Sequence, residues 1–85
     1  MKDTQGMEIK VKYFGSISEE TGKVEETIFL QDGAVGIQDF KAFIFGKYGL
    51  KEDDTIQVAL NQAIQQNGQV QHGDEIAFLP PYAGG

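Results

Sequence analysis

Few residues in this 85-residue chain could take part in chemistry, and the most suggestive group lies at its C-terminus. Pro80, Pro81, Tyr82, Ala83, Gly84 and Gly85 form an arm whose side chains shrink toward the tip. The two prolines stiffen its root into an extended path, because each fixes φ and removes a backbone donor. Six extended residues span roughly 20 Å at about 3.3 Å each, enough to reach the floor of another protein's pocket. Two glycines let a narrow channel close around bare backbone. A thin arm ending in a carboxylate suits activation by a second enzyme. A Gly-Gly end alone says little, since glycine is about 7% of residues and termini commonly fray. The proline spacer and the terminal position add weight.

Other reactive side chains are poorly placed. Cysteine is absent, which excludes disulfides, thiolate nucleophiles and cysteine-zinc sites. His72 is the only histidine and stands in a Gly-Asp turn, where a solvated turn residue is the expected role rather than a metal ligand. Glu52, Asp53 and Asp54 read as a solvated loop without the calcium-loop pattern. Glu19, Glu20, Glu25 and Glu26 read as a diffuse acidic surface. Gly46 and Lys47 lack the upstream glycine and following Ser or Thr of a phosphate-binding loop. No cofactor or metal site is therefore expected, and the chain is not expected to be an enzyme by itself.

Charge narrows the partners. There are 13 acidic residues against 7 basic ones, for a net charge of −6, and every basic residue is Lys. Nucleic-acid binding needs cations to displace phosphate counterions and favours Arg for base contacts, so it is disfavoured. An acidic surface is instead steered toward a basic protein face. No apolar run approaches the roughly 18–20 residues that cross a bilayer, and residues 1–6 (MKDTQG) lack a signal-peptide core. A cytoplasmic protein without a membrane partner is expected.

The elements that must position the arm follow from periodicity. Residues 7–14 (MEIKVKYF) alternate as a strand, with Ile9, Val11 and Tyr13 on one face and Phe14 breaking outward. Ser16 and Glu19 fit a capping box that opens one helical turn within residues 15–22. Residues 23–31 form a second strand, with Ile28 and Leu30 inward, before a turn at Asp32 and Gly33. Residues 34–48 (AVGIQDFKAFIFGKY) are predicted as the main helix. Its stripe is Ile37, Phe40, Ile44 and Tyr48, widened by Phe43, with Phe45 partly exposed and Gly49 as C-cap. Gly36 and Gly46 each weaken that helix by about 1 kcal/mol. Residues 55–60 (TIQVAL) make a third strand, a tight turn falls at Asn61 and Gln62, and residues 63–66 return as a short strand. Turns bracket Val70. Residues 75–79 (EIAFL) form the last strand, with Leu79 outward, and Pro80 and Pro81 end it.

This order predicts an α+β chain of the β-grasp, or ubiquitin-like, class: a mixed sheet curled around one main helix, with first and last strands adjacent. Residues 1–6 are expected to be a disordered leader, 7–79 the domain, and 80–85 the extended tail.

Residues 73–85 (GDEIAFLPPYAGG) resemble the C-terminal signature of the MoaD family, the sulfur-carrying small subunits of molybdopterin synthase within the MoaD/ThiS superfamily. Residues 11–22 (VKYFGSISEETG) and 58–62 (VALNQ) are similar to that family's first strand and helical turn, and to its third strand and turn. The resemblance implies that an E1-like adenylyltransferase (MoeB-like) uses ATP to convert the Gly85 carboxylate to an acyl-adenylate. A sulfur donor then replaces AMP, leaving a thiocarboxylate on Gly85, with Gly84 as the clearance residue. The large molybdopterin synthase subunit (MoaE-like) receives the tail, and the sulfur enters the dithiolene of molybdopterin. A thiamine-pathway carrier (ThiS-like) and a ubiquitin-like modifier conjugated through Gly85 share this tail. The double proline speaks against the thiamine carrier.

Phe14, Ile64 and Leu79 match positions where that family places apolar docking residues, with Pro80 and Pro81 at the tail's root. Imperfect alternation in a small sheet would also leave such residues outside.

Overall fold

A computed structural model describes residues 6–31, 33–51 and 55–81 of the chain. Strand β1 (Met7–Tyr13) alternates as its sequence requires: Met7, Ile9, Val11 and Tyr13 are buried and the residues between them are not. It pairs antiparallel with β2 (Glu25–Leu30) and parallel with the last strand, β7 (Glu75–Leu79). Helix α1 (Ser16–Thr21) bridges β1 and β2 as the expected single turn. The expected capping box does not form. The N-cap is Gly15, without a side-chain cap, and Ser18 Oγ instead donates to the Gly15 carbonyl at 2.8 Å. The helix begins one residue earlier than the capping box requires, so Ser16 is its first helical residue and Gly15 holds the N-cap position.

Strand β3 (Ala34–Gly36) and helix α2 (Ile37–Tyr48) occupy the segment predicted as one helix. Val35 pairs across to Val70 of β6 (Gln69–Gln71), forming a two-stranded ribbon. A three-residue strand is too short to show a period, so its apolar Val35 reads equally well as helix. Gly36 is then the extended N-cap of α2, not an interior residue. The helix ends at Gly49, whose left-handed φ of 68° suits glycine at that place.

The buried face of α2 is Ile37, Phe40, Lys41, Ile44 and Phe45. These lie at i, i+3, i+4, i+7 and i+8, the stripe a surface helix turns to its core. Phe45, expected partly outside, is only 1% exposed and meets Phe78 edge-on at 5.5 Å. Phe43, expected to widen the stripe, is 47% exposed. The correction follows from counting on from Ile37: position i+8 faces the sheet and i+6 does not. Lys41 lies within the stripe with its ammonium 5.6 Å from the Phe45 ring centroid, its aliphatic stem filling core space.

Strand β4 (Gln57–Leu60) joins β5 (Ala63–Ile64) through Asn61 and Gln62, both at positive φ (51° and 72°), the tight hairpin turn expected there. Strand β4 also pairs with β7, so the large sheet runs β2-β1-β7-β4-β5. The first and last strands lie side by side and parallel at its centre, as expected of a β-grasp fold. Helix α2 packs on the inner face, where Ile9, Val11, Val58, Ile76 and Phe78 are fully buried.

One polar cluster ties this core together. Tyr13 donates to Glu26 Oε2 at 2.5 Å, Tyr48 donates to the same oxygen, and Lys23 Nζ lies 3.1 Å from Oε1. Burial and the bond to Glu26 hold the Tyr13 phenol well above its ordinary pKa. Burial pushes the Glu26 carboxyl up, but the three donors outweigh it and set the carboxyl below its usual value. The cluster joins the end of α2 to β1 and β2.

Candidate functional site

Strand register decides which side chains share the outer face. Ala77 of β7 pairs with Lys12 of β1 and with Ala59 of β4, and Ala59 pairs in turn with Ile64 of β5. Partners in register point to the same side of a sheet, so Lys12, Ala77, Ala59 and Ile64 form one row away from α2. Leu79 belongs to the same face, two residues beyond Ala77 and opposite Gln57. Phe14 follows Tyr13, which pairs with Phe78, and so is level with Leu79.

The sequence-predicted apolar trio therefore shares one end of the outer face. Phe14 is 44% exposed, Ile64 is 56% exposed and Leu79 is half-buried. Ala59 and Ala77, which sequence reading passed over, form a floor between them. Both are nearly buried although they face outward. Small residues at alternate positions in VAL and IAF were the signal for such a floor. Single exposed apolar residues need no explanation, whereas a contiguous group does.

Charge borders the patch toward β2. Lys12 and Glu75 form an ion pair at 3.6 Å, with Lys10 and Glu25 on the same face. At the far end of the face Glu8, Lys10, Thr27, His72, Gly73 and Asp74 line an open hollow of about 280 Å³. His72 Nδ1 accepts a bond from the Glu8 backbone N–H at 3.1 Å, a turn-stabilising role. Among the described residues, no three His, Asp or Glu side chains converge in a way that could hold a metal ion. No helix among them is long and apolar enough to cross a membrane. Glu52, Asp53 and Asp54 lie outside the described residues.

Strand β7 ends where Pro80 begins, since a residue without N–H cannot extend the ladder. Pro80 is half-buried and Pro81 exposed. Both line a cleft of about 320 Å³ with Ser16, Ile17, Glu20, Lys51 and Ile56. Pro80 and Pro81 thus lie at the end of the sheet that carries Phe14 and Leu79. Gly84 and Gly85, expected to carry the reaction, lie outside the described residues, as does the leader apart from Gly6.

The chain is similar to known proteins along nearly its whole length. The model of the ThiS family matches residues 11–85. A molybdopterin synthase sulfur carrier subunit from Chlamydomonas reinhardtii is 37% identical over 84 residues, covering 93% of this chain and 100% of that protein. One from Arabidopsis thaliana is 32% identical over 85 residues, covering 98% of this chain and 88% of that protein. Among solved structures, a complex of subunits 1 and 2 of molybdopterin-converting factor from Helicobacter pylori contains a chain 32% identical to this one. It has a TM-score of 0.60 and covers 93% of this chain and all of that one.

Proposed function

The chain belongs to the ThiS family, and on that premise we propose that it is the sulfur-carrier subunit of a molybdopterin synthase, loaded at Gly85. The observation that carries the reading is its 37% identity to a sulfur carrier subunit along that protein's entire length. The family match extends through Gly85, so it includes the tail.

The chemistry divides between this chain and its partners. The Gly85 carboxylate is a poor electrophile because hydroxide or oxide would have to leave. Attack of a carboxylate oxygen on the α-phosphorus of ATP forms an acyl-adenylate and releases pyrophosphate. A sulfur nucleophile at the oxidation level of hydrosulfide then attacks the acyl carbon, a C–S bond forms, and AMP departs. The product is a thiocarboxylate on Gly85, with Gly84 providing clearance in a narrow channel. ATP and the activating enzyme supply the first step, a sulfur donor the second, and the large synthase subunit receives the loaded tail. The cytoplasm supplies all of them. This chain contributes the arm and the apolar face of Phe14, Ile64 and Leu79 beside it, which supports docking on larger partners. Its net charge of −6 favours a basic partner face.

Reconstitution tests the pathway. Thiocarboxylated protein mixed with the large subunit and the pterin precursor is expected to yield molybdopterin, and the unloaded protein none. Sulfur delivery only to a thiazole-forming enzyme, or only lysine-linked adducts in cell extract, would reject the assignment.

A further inference from the structure

We propose, resting on the carrier reading, that Pro80 is a positioning residue: seated on Gly15, it fixes the direction in which the reactive tail leaves the domain. Gly15 adopts φ 56° and ψ −134°, backbone close to a region that is essentially glycine-only. A Cβ on Gly15 would stand 2.9 Å from Pro80 Cγ and 3.6 Å from Cδ. The proline ring thus fills the space that any larger residue at position 15 would occupy.

Both sides of this seat are firm. On one side Leu79, the residue before Pro80, is held in the ladder opposite Gln57. On the other, the Gly15 carbonyl accepts from Ser18 N–H at 3.1 Å, Glu19 N–H at 3.3 Å and Ser18 Oγ at 2.8 Å, while Ile17 N–H bonds the Phe14 carbonyl at 3.1 Å. The buried Ile17 and Ile56 line the cleft at the ring's side.

A seat at the root matters because error grows along a lever. Gly85 lies five residues beyond Pro80, roughly 17 Å when extended. A swing of about 10° at the root then moves the tip about 3 Å, as large as the separation of two reacting atoms in a near-attack arrangement. Docking through the apolar face leaves that error untouched. The seat is therefore expected to act on the rate within the complex and not on its affinity.

The test is steady-state activation of the full chain by its adenylating enzyme, followed by ATP–pyrophosphate exchange. Pro80→Ala is expected to lower kcat about tenfold with KM for this protein unchanged, since a misplacement of about 1 Å can cost a hundredfold. Gly15→Ala is expected to lower kcat too, because its Cβ would displace the ring, on top of the strain that Ala meets at this left-handed φ. In the free protein, nuclear Overhauser contacts between the Pro80 ring and Gly15 Hα are expected, with folded amide spectra in every variant. A raised KM at constant kcat in Pro80→Ala would make Pro80 a partner contact and overturn the proposal. So would missing contacts, or full activity in Pro80→Ala. A wild-type chain that is never activated would sink the carrier reading itself, whereas an activated wild type with an indifferent Pro80→Ala sinks only this inference.

Discussion

Replacing Glu26 by Ala removes the acceptor shared by two tyrosine hydroxyls, and the cost can be worked out from the geometry. Tyr13 is 2% exposed, so its hydroxyl depends on Glu26 for the acceptor it has in the folded protein. An unsatisfied buried donor costs about 1–3 kcal/mol. Tyr48 is half-buried and recovers a water partner at smaller cost, and the exposed Lys23 adds nothing that survives screening. The expected loss is about 2–3 kcal/mol for Glu26→Ala. Glu26→Gln keeps the shape and one acceptor, so about 1–2 kcal/mol is expected. For a domain of this size, each kcal/mol lowers Tm by about 4–8 °C. The pH dependence gives a second signature. Because the folded-state pKa of Glu26 lies below its ordinary value, its contribution is present above the ordinary carboxylate range and fades as pH falls through and below it. Tyr13 has the opposite sign: its raised pKa makes stability fall as pH climbs past the ordinary phenol value near 10. Urea titrations of wild type and Glu26→Gln across that range measure both. Equal stability at neutral pH together with an unchanged acid limb in Glu26→Gln would refute the reasoning.

Five further substitutions test packing, turn strain and docking. Phe45→Ala is expected to cost about 3–5 kcal/mol by leaving a cavity under Phe78, against under about 1 kcal/mol for the half-exposed Phe43→Ala, measured by denaturant midpoints. Gln62→Gly, at φ 72°, is expected to relieve a left-handed side-chain penalty and raise stability by about 1 kcal/mol, read from Tm. Phe14→Asp or Ile64→Asp is expected to leave the fold intact while weakening binding to the large subunit at least about tenfold, measured by titration calorimetry.

Where the sequence was legible, one strong period acted alone. The alternation from Met7 to Tyr13 and from Glu75 to Leu79 named both central strands and the outward Leu79, and Gly49 marked the helix end. Legibility failed where elements were shorter than their own period. The ribbon of β3 and β6, three residues a side, is set by the Val35–Val70 contact between distant segments, which local pattern does not contain. Phe43 and Phe45 were exchanged because four aromatic or aliphatic residues crowd one stretch, and only the true helix start at Ile37 fixes the phase. The site divides in the same way. Phe14 and Ile64 stand out as apolar residues on polar faces, whereas the Gly15 seat under Pro80 joins residues 65 positions apart and leaves no local trace.

An intact-mass measurement with C-terminal peptide mapping, after incubation with ATP, the activating enzyme and a sulfur donor, asks whether Gly85 carries the cargo. The expected result is replacement of one oxygen by sulfur on the peptide ending in Gly85, absent when Gly85 is deleted or a residue is appended beyond it. An unchanged tail under conditions that load a known carrier, or sulfur found anywhere else on the chain, would contradict the account.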